Sequence, residues 1–247
     1  MSDRHRYITL VTSFPHLGRL FSQSENPLSE FRLKQRLTML EPMHRQLLDR
    51  VLTATTWAGV SNFDEDSQVV AQAKTVIEEL KDYPALQDLV ASRMETRTLI
   101  TGLRRRRDGA DSAGDIHVWG FGRWRDAMAA NWSDPGFGLS HFIPWVPKAD
   151  QHLRSGDHIA MERLVLTEVY NHLDRAASRH QFDFAAVVIY VLRWVIVERW
   201  SRYDTAAARN RLQKLLSDVL ETSPASIPSA SPASNRPDQS RLQEMPS

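Results

Sequence analysis

The run "FAAVVIYVLRWVIVERW", residues Phe184 to Trp200, is the longest nearly uninterrupted apolar stretch in the chain, and it restricts the possible folds more than any other segment. Arg193 breaks it after nine residues and Glu198-Arg199 closes it, whereas a membrane-spanning helix needs about 20 apolar residues. Its β-branched residues (Val187, Val188, Ile189, Val191, Val195, Ile196, Val197) favour a strand by propensity. A single strand rarely exceeds about 10 residues, so the length predicts a helix. Asp183 is placed as its N-cap, Phe182 as a staple onto Val187, and Glu198 with Arg202 as an i,i+4 pair. A 3.6-residue wheel puts apolar groups on every side with Arg193 almost alone on its sector, as expected of the central helix of a helical domain.

Turn and cap signals extend this reading to a mainly α chain. "YITLVTSF" (Tyr7 to Phe14) alternates enough to predict a short N-terminal strand before Pro15 and Gly18. Ser29 is an N-cap for a helix with Leu33, Leu37 and Leu40 at helical spacing, and Pro42 fits the first turn of the next helix. Further helices are expected over Asp66 to Lys81, Ala85 to Arg107 after Pro84, Asp157 to Ser178, Phe184 to Tyr203 and Thr205 to Leu220. "DGADSAGD" (Asp108 to Asp115) reads as a loop. Pro135, Gly136, Pro144 and Pro147 keep the segment before Gly156 irregular, with regular helix resuming near that glycine. From Thr222 the chain is Pro/Ser-rich with few large apolar groups and is expected to be a disordered tail, giving a helical domain over 1–221 and a tail over 222–247.

Composition narrows the chemistry. The chain has 247 residues, is 42% hydrophobic, and has a net charge of +1, which gives no general attraction to nucleic acid or anionic lipid. It has no cysteine, so disulfides, thiol catalysis and cysteine-ligated metals are excluded, and a cytoplasmic location is expected. Pro15 ends the first apolar run well short of a secretory leader. "DEDSQ" at Asp64 lacks the central Gly and the closing Glu of a calcium loop. His152, His158 and Glu162 make only a weak metal constellation, and no nucleophile elbow or phosphate loop is present, so neither catalytic residues nor a cofactor are expected.

Two constellations stand out. In "SRMETRTLITGLRRRRDG", Arg93, Arg97, Arg104 and Arg107 fall on one helical stripe with Ile100, in line with Leu86 and Leu89, and Arg105 lies beside it. Guanidinium groups bind carboxylates and phosphates bidentately, so the row suits docking of an acidic partner. Internal ion pairing and a solvated helix end with cations near its C-terminus are the competing readings. The second constellation is aromatic, with Trp119, Trp124 and Trp132 followed by Phe137, Phe142 and Trp145. Such density serves base stacking in some proteins and core or interface packing in many more. With no RNA-binding fingerprint, nucleic acid is not the expected partner.

"YITLVTSFPHL", "PLSEFRLKQRLTMLEP", "RMETRTLITGLRRRRDG", "PGFGL" with "FIPW", and "FDFAAVVIYVLRWVIVERWSRYD" together resemble an uncharacterised bacterial family encoded in V/A-type ATPase operons. That family is similar to the C-type component of the central stalk (d-type in eukaryotes). The likeness runs from Tyr7 to Leu220. It implies a non-catalytic, mainly helical protein that links the rotor stalk to the proteolipid ring of a proton- or sodium-translocating ATPase, on the cytoplasmic face of the inner membrane. Its partners would be the stalk and ring subunits, it would meet the membrane only through that complex, and Arg93, Arg97, Arg104, Arg105, Arg107, Trp119 and Trp124 would form the docking face. An assembly or regulatory factor for the same ATPase is the alternative, ahead of an unrelated hydrolase or nucleic-acid binder.

Overall fold

A computed structural model describes residues 5–21 and 26–202. The expected helix over Thr205 to Leu220 and the tail from Thr222 lie outside the described residues. Helix α1 spans Ile8–Thr12, α2 Glu30–Leu37, α3 Pro42–Thr55, α4 Trp57–Val60, α5 Asp66–Glu79 and α6 Pro84–Arg107. Then come α7 Ile116–Trp119, α8 Arg125–Ala130, α9 Trp145–Ser155 and α10 His158–Ala177, and residues 184–202 are helical and are called α11.

The expected N-terminal strand is not formed, because α1 occupies that segment and the described residues contain no strand. Tyr7 and Leu10 are buried while Val11 and Phe14 pack on the same core, a 3.6-residue spacing rather than an alternating one. A lone strand would leave its ladder unpaired. Here Val11 N–H donates to Tyr7 C=O, and Tyr7 N–H donates to Phe182 C=O (2.9 Å), which ties the segment to the entry of α11. The stretch before Gly156 also departs from expectation, since α9 begins at Trp145. Pro147 stands in the first turn, where a missing N–H costs nothing, so it does not break the helix. Gly156 instead closes α9 in the left-handed region (φ 72).

The expected caps, the helix-opening prolines and the Glu198–Arg202 pair are formed. Ser29 Oγ accepts from Arg32 N–H, Pro42 opens α3, Pro84 opens α6, and Asp157 Oδ1 accepts from Ala160 N–H at the start of α10. At α11, Asp183 Oδ1 accepts from Ala186 N–H (2.8 Å), and Arg202 Nε donates to Glu198 Oε1 (2.8 Å). Phe184, Val187 and Val188 are completely inaccessible to solvent, so the long apolar run is the core helix of this body. Its one interior cation is accommodated, since Arg193 donates to Tyr170 Oη (2.8 Å), pairs with Asp174 (3.1 Å) and lies over the Tyr170 ring.

Two apolar clusters share α6. The first gathers α1 to α3, α5, the start of α6, the latter part of α10 and α11. The second gathers the end of α6, α7 to α9 and the start of α10. Helix α6 therefore changes its buried side along its length: Leu86, Leu89, Val90 and Met94 enter the first cluster, and Leu99 and Leu103 enter the second from the opposite face. Gly102 permits the close approach there, as a Cβ would lie 2.6 Å from Met128 Cε and 3.3 Å from Phe137 Cζ.

Candidate docking site on helix α6

The change of buried side decides where the arginines go. The stripe that begins with Leu86 and Leu89 faces the first core and then runs past its edge, and Arg93, Arg97, Arg104 and Arg107 continue it. At that edge Arg93 Nε donates to Thr55 C=O at the end of α3 (3.1 Å). Arg199 reaches the neighbouring residues from α11, with its guanidinium 5.3 Å from the Trp57 ring and its Nε donating to Glu162 Oε1 (2.7 Å). Residues 55–57 thus meet an arginine from each of two helices, Arg93 at the Thr55 carbonyl and Arg199 at the Trp57 indole, which is 59% exposed.

Arg93 carries the clearest electrostatic sign of an unmet need. Burial pushes its guanidinium down to about 10, and the positive charges of Arg199 and Arg97 push in the same direction. No carboxylate lies within ion-pairing distance of it among the described residues, and its only hydrogen bond is to a neutral carbonyl. Arg104, further along the stripe, is exposed and forms neither a hydrogen bond nor an ion pair among the described residues. Partial desolvation by the groups around it, and then the positive charge of Arg107, lower its affinity for the proton. Arg107 is held by the adjacent Asp108 (2.8 Å).

Arg97 and Arg105 have a carboxylate in common. Asp66, in the first turn of α5, accepts from Arg97 Nη2 (2.8 Å) through Oδ1 and from Arg105 Nη2 (3.1 Å) through Oδ2. The Arg105 guanidinium also lies 4.6 Å over the Trp119 ring. These groups line a cleft of about 590 Å³ together with Asp64, Asp115 and Val118. Of the six guanidinium groups on this side of α6 and α11 (Arg93, Arg97, Arg104, Arg105, Arg107, Arg199), four form ion pairs among the described residues, with Asp66, Asp108 and Glu162, while Asp64, Glu65 and Asp115 line the same cleft, and Arg93 and Arg104 are the two with no carboxylate in ion-pairing distance there.

The aromatic half of the expected site divides. Trp119 is 4% exposed, donates to Ala113 C=O (3.0 Å) and meets Trp132 edge-on, so it stands in the second core and only its ring face reaches the cleft. Trp124 is half-buried on another part of the surface, between Arg123 (4.8 Å) and Phe142 (5.9 Å). Trp57 and Arg199, absent from the expected site, are brought to the stripe by the tertiary fold. Arg106, also absent from it, lies on the Leu99 and Leu103 side of α6. Arg106 pairs with buried Asp150 (2.7 Å) and donates to the C=O groups of Trp132, Asp134 and Pro135, with Phe137 beneath it (4.5 Å). Its spacing of three and seven residues from Leu103 and Leu99 is the signal that marks it as inward-facing.

No group of three or more His, Asp or Glu side chains among the described residues could hold a metal ion, and no described helix is long and apolar enough to cross a membrane. No family model, curated protein or solved structure matches this chain.

Proposed function

We propose that this protein is a non-catalytic docking subunit, and that its partners are the central-stalk and proteolipid-ring subunits of a bacterial V/A-type ATPase. The resemblance of its motifs to the family encoded in such operons supplies the identity of the partners. One structural observation carries the docking role: an arginine stripe on α6, of which Arg93 and Arg104 form no ion pair among the described residues, beside an exposed tryptophan. Arginine and tryptophan are the residue types that most often dominate binding energy at protein interfaces, and a charge pair desolvated on docking resists slippage. A part that transmits torque needs such an interface. The two-core helical body supplies the rigid support, because α6 is anchored in both clusters.

The test is co-purification of rotor subunits with the full-length protein from native membranes. Replacing both Arg104 and Arg107 with Glu reverses the field at the end of α6 without touching either core, since both side chains are exposed. Recovery of stalk and ring should fall by well over tenfold. Undiminished recovery with a normally folded variant removes this row from the interface. Recovery of wild-type protein with the rotor in a fixed ratio marks a permanent subunit, and sub-stoichiometric recovery marks an assembly factor.

A further inference from the structure

The position of Arg93 calls for a counter-charge that the described residues do not provide. Three elements converge on it: the middle of α6, the Thr55–Trp57 turn between α3 and α4, and the end of α11. Arg93 spends one N–H on a backbone carbonyl and has no anion beside it among the described residues. The charges that act on it are those of two further arginines, each paired with a carboxylate of its own, Arg97 with Asp66 and Arg199 with Glu162. A protein that only needed to fold would put an apolar side chain here or supply an acid, because a desolvated cation pressed against like charges destabilises. The neighbouring Trp57 indole is left open to solvent with a guanidinium on one face.

We propose that the arginine cluster of Arg93, Arg97 and Arg199 beside Trp57 receives a carboxylate side chain from an acidic segment of a partner protein, whose adjacent apolar residue packs on the Trp57 indole. The inference rests on the docking reading for its place on α6 and specifies the chemistry that the partner presents. Charge complementarity selects an acid, and the exposed indole selects an apolar neighbour beside it. A bound carboxylate would give Arg93 the counter-charge it lacks and would screen it from Arg97 and Arg199.

The experiment uses the full chain and a fluorescein-labelled Glu-Glu-Leu-Glu-Glu peptide, with a Gln-Gln-Leu-Gln-Gln peptide as control, read by anisotropy at low and high ionic strength. The acidic peptide should bind, weaken with salt, and lose at least about tenfold in affinity on Arg93→Met or Trp57→Ala. Arg123→Met, which removes an exposed cation from the Trp124 surface, should leave binding unchanged. Arg93→Met should also melt no lower than the parent, because it removes a partly buried charge that has no carboxylate beside it among the described residues. Equal binding by parent, Arg93→Met and Trp57→Ala overturns the proposal, as does equal binding of the two peptides. A lower melting point for Arg93→Met overturns it too, since the guanidinium would then be a strut between α6 and α3. Peptide binding at this arginine cluster without co-purified rotor subunits defeats the ATPase assignment and leaves the acidic-partner inference standing.

Discussion

Single residues on α6 have opposite roles according to which side of the helix they occupy. Arg106 and Asp150 are, respectively, 10% and 8% exposed as side chains, so truncating the arginine leaves a carboxylate buried with only the exposed Arg154 to meet it. Arg106→Ala should cost about 3 kcal/mol, read as a loss in chemical denaturation. Arg93 is the converse case. Its folded value of about 10 is below its value in the unfolded chain, so the fold holds that proton less tightly. The charge is therefore a penalty at neutral pH, relieved only as pH rises through that interval. After discounting for its partial contact with solvent, the penalty is on the order of 1–2 kcal/mol, and a bound anion would remove it. His172 is half-buried and lowered from its usual 6.5 by burial first and by Arg175 second, with Asp88 opposing. The unfolded chain takes up that proton first, so stability should fall as pH drops below 6.5 and the loss should be complete below the folded value. His172→Gln should flatten the dependence of melting temperature between about pH 7 and pH 5.

Elements differ in how much of their position comes from their own sequence. Helix α11 carries its own N-cap and is buried along most of its length, so Asp183→Ala should cost about 1 kcal/mol and Val188→Asp several. A Val188→Asp protein that melts normally would show that α11 is not the core helix. Helix α6 is more demanding, because it must satisfy two cores from two sides. Gly102 sits against Met128 and Phe137 at the second of them. Gly102→Val would force both apart at a cost of about 1–3 kcal/mol, with the far-UV spectrum retained and the melting point lowered. Helices α1 and α9 show why local signals mislead: β-branched residues and prolines describe what a segment tolerates, and the decision falls to whether a strand has a partner or a proline falls in a first turn.

For the described body as a whole, α6 makes the two clusters one cooperative system, since neither cluster retains its full wall once this helix unravels. Near- and far-UV circular dichroism should follow a single coincident transition in denaturant, and two separated transitions would show that the clusters fold independently. Much of this body is legible in the sequence. The helical class, the caps at Ser29, Asp157 and Asp183, the prolines that open α3 and α6, the burial of the Phe184 to Trp200 run and the common stripe of Arg93, Arg97, Arg104 and Arg107 follow from spacing and local hydrogen-bonding chemistry, which act within a few residues. Other features had no local cause. That Asp66 sits between Arg97 and Arg105, that Trp119 turns inward while Trp57 stays exposed, that Arg199 joins the stripe from α11, and that Arg93 is left without an acid are set by which helices pack together. Helical periodicity orients a side chain about its own axis. Only the packing of distant segments determines what it meets there, and that packing separates a paired arginine from one that awaits a partner.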